Sequence, residues 1–161
     1  MSTGHTMLTM GAMVILSLTM LRVNKSFVTS AASLDESKFS VLALSLASSV
    51  IEEAHSKAYD ESTVEDAANT VDLFSSSLGP DNESYAEFDD CDDYNGYQKT
   101  ISNIPSADFN IYCTVTYVNP SAPDVNAATK TWNKKITVMV TSPSMKDTVR
   151  VSSIFSYWYF R

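Results

Sequence analysis

Apolar side chains follow three different rhythms along this chain. Residues 7–21 (MLTMGAMVILSLTML) form an almost unbroken oily run, and no Asp, Glu, Lys or Arg occurs before Arg22. A helix rises about 1.5 Å per residue, so about 20 such residues cross the hydrocarbon core of a bilayer. Over residues 23–58 the rhythm becomes helical and two-sided. Phe39, Leu42, Leu46, Val50 and Ala54 fall at three- and four-residue spacing, with Leu34, Val41, Leu44 and Ile51 on a neighbouring face. Asp35, Glu36, Glu52, Glu53 and Lys57 occupy the remainder. No Pro or Gly lies between Ala12 and Leu78, which predicts one long helix over residues 3–58. Ser33 with Glu36 three places on could cap a fresh start, with a kink near residues 30–33.

The third rhythm is alternation. Residues 109–118 (FNIYCTVTYV), 130–141 (KTWNKKITVMVT) and 148–160 read as strands, separated by the proline-bearing stretch 119–124 and by Ser142-Pro143-Ser144. Consecutive strands with short links predict an antiparallel meander. Between helix and strands, residues 59–108 are polar, acidic and turn-rich; 64–74 suit a short strand or a helical turn, and 75–82 are loop. A sheet needs its apolar face covered, and the second half of the long helix is the large apolar surface on offer. The predicted class is α+β, a long N-terminal helix packed on a C-terminal antiparallel sheet. Three regions follow: a hydrophobic segment 1–22, its amphipathic continuation 23–58, and an acidic loop plus sheet over 59–161 that folds as one domain with 34–58.

Composition narrows the function classes. The formal net charge is −8 over 161 residues, which disfavours nucleic acid and anionic lipid as principal partners, because both reward clustered Lys and Arg. The two cysteines, Cys91 and Cys113, are too few for a zinc site with His5 and His55 distant in sequence. Two thiols in an exported domain pair more often than they stay free. The expected Cys91–Cys113 disulfide closes a loop of about 22 residues, worth about 3 kcal/mol; the alternative is two buried, unpaired thiols.

The leading run admits a membrane helix or a secretory signal. No basic residue precedes it, so a cleaved signal peptide is not expected. Arg22 and Lys25 just beyond it favour a cytoplasmic placement of that end, whereas a disulfide favours export; export of the C-terminal region is the reading preferred here. Gly11, Ala12 and Ser17 would allow close helix–helix approach.

Two local motifs carry a resemblance. Residues 42–60 (LALSLASSVIEEAHSKAYD) are similar to the second half of the long helix of minor pilins. Residues 88–97 (FDDCDDYNGY) resemble an Asp-rich loop of minor pilins of the mannose-sensitive haemagglutinin type. With the order of helix, acidic loop and strands, the whole chain resembles the type IV pilin and pseudopilin superfamily. The resemblance implies a subunit held in the inner membrane before assembly, then built into an extracellular filament as a homopolymer through helix packing. Met7, Leu8, Met10, Gly11, Val14, Ile15, Leu18 and Leu21 are the expected assembly residues. Such families usually carry Glu at the fifth mature position. Cutting after Gly4 would put Thr9 there, and leaving Met1 puts His5 there.

Catalysis finds little footing. His55 is expected on the helix surface, no serine is paired with a base, and no phosphate-binding glycine loop occurs among four glycines, so an enzyme is not expected. The acidic loop is the metal candidate. Cys91-x-Asp93-x-Asn95-Gly96 partly echoes an EF-hand, but Cys stands at the first ligand position and Ser102 at the closing one. A looser calcium site would use Asp89, Asp90, Asp92, Asp93 or Asn95; the plainer reading is that these side chains cap turns and bind backbone amides. No other cofactor is expected. The aromatic run 154–160 reads as a strand with one face in the core and the other covered by a neighbouring subunit.

Overall fold

In the computed structural model the described residues are 3–105 and 107–159. One uninterrupted helix, α1 (Thr3–His55), carries the N-terminal third, with no break at Ser33. It ends three residues earlier than predicted. Ala58 has left the helix to form a bridge with Asp90, its N–H bonding Asp89 O at 2.9 Å while Cys91 N bonds Ala58 O at 3.0 Å. The chain divides into two compact units, Met1–Lys38 and Phe39–Arg161.

The second unit is an α+β domain. Its strands are β1 (Gln98–Ile101), β2 (Phe109–Asn119), β3 (Ala122–Asn126), β4 (Asn133–Thr141) and β5 (Val149–Ser156). All pairings are antiparallel: the sheet runs β1-β2-β4-β5, and β3 folds back on the end of β2. The predicted meander of β2, β4 and β5 is present, flanked by two strands that alternation did not reveal. β1 is short and exposed, so its sequence lacks an apolar face; β3 contains Pro123, tolerated there because only one side of that strand is paired. Strand β5 stops at Ser156, and Tyr157–Tyr159 form a 3₁₀ turn, with Tyr157 N–H donating to Trp132 O at 3.0 Å. The expected strand therefore ends early; Phe160 lies outside the described residues.

Residues 39–55 of α1 cover the sheet through Ala43, Ala47, Val50, Ile51 and Ala54. This face is rotated from the predicted one. Three fully buried alanines, Ala43, Ala47 and Ala54, lie at its centre. Phe39, Leu42 and Leu46 pack half-buried at its flank, whereas Leu34, Val41 and Leu44 remain exposed. Across from the helix, Phe109, Ile111, Cys113, Val115 and Tyr117 line the inner face of β2, Ile136, Val138 and Val140 that of β4, and Phe155 that of β5. His55 belongs to this interface rather than to the surface: its ring meets the edge of Phe155 at 3.8 Å between centroids, and Nε2 lies 3.1 Å from Ser153 Oγ.

Residues 59–97 wrap one end of the sheet as 3₁₀ turns (Glu61–Thr63, Val71–Leu73, Asp92–Tyr94) and bends. Segment 64–74 thus takes the helical-turn alternative. The expected disulfide is absent: Cys91 and Cys113 are separate, buried thiols. Cys91 is tied to Ala58 beyond the helix end, whereas Cys113 on β2 pairs with Gly96 and Tyr97. Burial raises both thiol pKa values, that of Cys113 to about 12, so neither is a ready nucleophile. Truncating Ile136, fully buried beneath the helix, to Ala is expected to cost about 2–5 kcal/mol, measured by urea unfolding followed through tryptophan fluorescence.

Candidate functional site

In the first unit, every described residue from Thr3 to Asp35 is exposed. The expected assembly residues Met7, Leu8, Met10, Val14, Ile15, Leu18 and Leu21 are between 56 and 78 % exposed. Met13, Val14, Ile15 and Leu16 are consecutive, so the apolar surface runs fully round the helix. Gly11 leaves open space where a side chain would stand. The hydroxyls in this run donate to the helix's own carbonyls: Thr6 to Thr3 O at 2.8 Å, Thr9 to Thr6 O at 2.9 Å, Ser17 to Met13 O at 2.9 Å and Thr19 to Leu16 O at 2.8 Å. Each polar group is thereby satisfied without water, as an apolar medium requires. This helix is long and apolar enough to cross a membrane.

In the second unit the acidic loop folds inward. Asp90 Oδ1 accepts the backbone N–H groups of Asp92 (2.7 Å) and Asp93 (3.1 Å). Asp93 Oδ2 accepts those of Asp89 (3.0 Å) and Asp90 (3.1 Å). Asn95 joins the loop to the sheet, donating to Leu78 O at 2.8 Å and accepting from Val115 N–H at 3.0 Å. Gly96, at φ 83°, supplies the left-handed turn into β1. Asp90, Asp92 and Asp93 are buried, while Asp89 and Asn95 are half-buried. Burial, then the charge of Asp92, raises the Asp90 carboxyl well above the usual carboxylate range.

Beneath the loop sits a lysine that no motif in the sequence marks out. Lys134 on β4 is 0 % exposed. Its Nζ donates to Tyr59 O at 2.8 Å, to Asp60 Oδ2 at 2.7 Å and to Asp92 Oδ1, using all three N–H groups. The Tyr59 ring lies 4.6 Å from Nζ and the Tyr117 ring 5.5 Å. Asp60 also accepts from Ser62 and Ser75, including Ser62 Oγ at 2.7 Å and Ser75 N–H at 3.0 Å. Burial pushes the Asp60 carboxyl up, but Lys134 and these hydrogen bonds outweigh it and leave its pKa below the usual range. The stability this gives is therefore present above the ordinary carboxylate pKa and is lost as pH falls through the lowered value. Burial depresses Lys134, but Asp92 and Asp60 outweigh it and hold the ammonium charged. A parity signal was available: Lys134 shares the inward alternation of Ile136, Val138 and Val140.

A separate cluster comprises Glu83, Asp89 and Asp93, whose nearest oxygens lie within 4.8 Å of one another. Glu83 Oε2 and Asp89 Oδ1 are hidden from solvent and accept no hydrogen bond. Loss of hydration, then the neighbouring Asp93 and Asp89, raises the Glu83 pKa. Of the calcium candidates, the structure gathers Asp89 and Asp93 here, with Glu83 as an unforeseen third. Asp90, Asp92 and Asn95 are engaged elsewhere by backbone groups or Lys134.

No protein-family model matches the chain, and no curated protein or solved structure matches it. Replacing Lys134 with Met strips two buried carboxylates of their shared cation, and the expected destabilisation is about 3–5 kcal/mol by denaturant unfolding.

Proposed function

We propose that this chain is a structural subunit of a type IV pilus-like filament, held in a membrane by its N-terminal helix before assembly and then incorporated into a helical homopolymer. The observation that carries the reading is the apolar surface of residues 7–21, exposed and continuous round the helix. Transfer from lipid into a bundle of like helices keeps this surface away from water, and Gly11 permits close backbone approach. The α+β domain supplies an outer wall, and head-to-tail contacts that do not close would generate the screw. Placement of an incoming helix would then depend on packing around Gly11 and on helix-bonded hydroxyls, because residues 1–21 hold no carboxylate.

Detergent removal from the purified protein is expected to yield filaments visible by negative stain. Val14→Lys is expected to abolish them, since a lysine amid packed apolar helices costs about 2.5–3.5 kcal/mol even on the mildest scale. Unfolding of the sheet domain should not change. A wild-type monomer that never polymerises would sink the filament reading, leaving an initiating pseudopilin or a membrane-anchored module.

A second reading, an anchored module binding a hard cation, is favoured by the unpartnered oxygens of Glu83 and Asp89 beside Asp93. Oxygen-only donors suit calcium. On this reading millimolar calcium raises the melting temperature, and Glu83→Gln removes most of that rise. An identical melting curve in calcium and in chelator counts against it.

A further inference from the structure

Lys134 and Asp92 meet under conditions that favour more than an ion pair. The ammonium and carboxylate touch in a site closed to solvent, with residue exposures of 0 % and 1 %. Asp60 stands on the other side of the same nitrogen at 2.7 Å. Aromatic rings of Tyr59 and Tyr117 pack about the nitrogen. Asp92 is not free to swing away, because its backbone N–H is held by Asp90 Oδ1 at 2.7 Å. Its second oxygen, Oδ2, is buried and accepts no hydrogen bond. That oxygen is an electrostatic liability where it stands.

We propose that Lys134 and Asp92 condense within the folded protein into a side-chain amide, an intramolecular isopeptide bond tying the acidic loop to the centre of the sheet. The bond formed is Lys134 Nζ to Asp92 Cγ, and the bond broken is Asp92 Cγ to Oδ2. The departing oxygen leaves as water with two of the three ammonium protons, one of them carried by Asp60 from the nitrogen to the leaving oxygen. The third proton stays on the amide nitrogen. One positive and one negative charge disappear together, and no oxidant, reductant or activating group is consumed.

Three physical terms drive the step. Enclosure holds the reacting groups at contact, so the encounter entropy of a bimolecular condensation is already removed. Neutralising a buried ion pair removes the penalty of keeping two charges out of water. Expelling Oδ2 removes a buried acceptor that no N–H donor reaches. The environment also tolerates the product. Asp60 retains Ser62, Ser75 and Tyr117 as donors, and the remaining amide N–H has Tyr59 O and Asp60 Oδ2 in reach.

Intact mass spectrometry of the full chain, denatured after incubation at neutral pH, is expected to read about 18 Da below the sequence mass, the loss of one water. Proteolysis should release a branched species in which the Asp92 peptide is joined to the Lys134 peptide. Lys134→Arg and Asp92→Ala should both restore the full mass, a readout that holds even where a variant folds poorly. Asp60→Asn should slow the mass loss at least tenfold if Asp60 carries the proton. A chain that keeps its full mass after days in the folded state overturns the proposal. So does a mass deficit without the branched peptide, which would mark dehydration of an aspartate elsewhere.

Discussion

The α+β domain is organised around one buried side chain, Lys134. Lys134 joins three stretches at one nitrogen: the exit of α1 at Tyr59 and Asp60, the acidic loop at Asp92, and the middle of the sheet. Each partner is itself held by neighbours. Asp60 caps the 3₁₀ turn Glu61–Thr63 and receives Ser75 from further along the loop, while Asp92 is braced by Asp90. Aromatic rings close the space above: Tyr59, Phe74, Trp132 and Tyr157 meet at tilted or edge-on angles with centroids 4.9–5.6 Å apart. A charge removed from water is costly unless paired, so removal of any member leaves the others exposed to that cost. The polar segment after the helix is thus held by this charge network together with its buried Phe74, Phe88 and Tyr94.

The long helix carries two chemistries along one backbone. Over residues 39–55 it is an ordinary amphipathic helix whose alanine-centred stripe covers β2, β4 and β5. Over residues 7–21 there is no polar side to present to water, and the few hydroxyls are folded back onto the helix. Continuity through the helix needs no special device, since no Pro or Gly interrupts residues 12–78. The filament reading joins these halves functionally: one part is completed by the chain's own sheet, the other only by lipid or by further copies.

The acidic loop divides into two kinds of carboxylate. Asp90, Asp93 and Asn95 do backbone work, capping turns and bonding the loop to β2, as its Asp/Asn-rich composition suggested. Asp60 and Asp92 neutralise Lys134. Glu83 Oε2 and Asp89 Oδ1 do neither, which sets this small cluster apart from the others.

Local rhythm alone determined much of this protein. The unbroken helical run, the apolar leading surface, the α+β class and the three main strands all follow from repeat spacing, because helix and strand periods are properties of neighbouring residues. Facts that depend on distant partners were decided only in three dimensions. The helix buries Ala43 and Ala47 and leaves Leu34 and Val41 exposed, because which face is covered depends on residues far away in the chain. Cys91 and Cys113 are buried as free thiols, a pairing outcome that spacing along the chain cannot decide. Strands β1 and β3 exist because β2 offers them hydrogen-bonding edges, not because their own residues alternate. Lys134 lay in plain view on the inward parity of β4, but only the fold brought Asp60 and Asp92 to it, and a buried charge has meaning only with its partners in place.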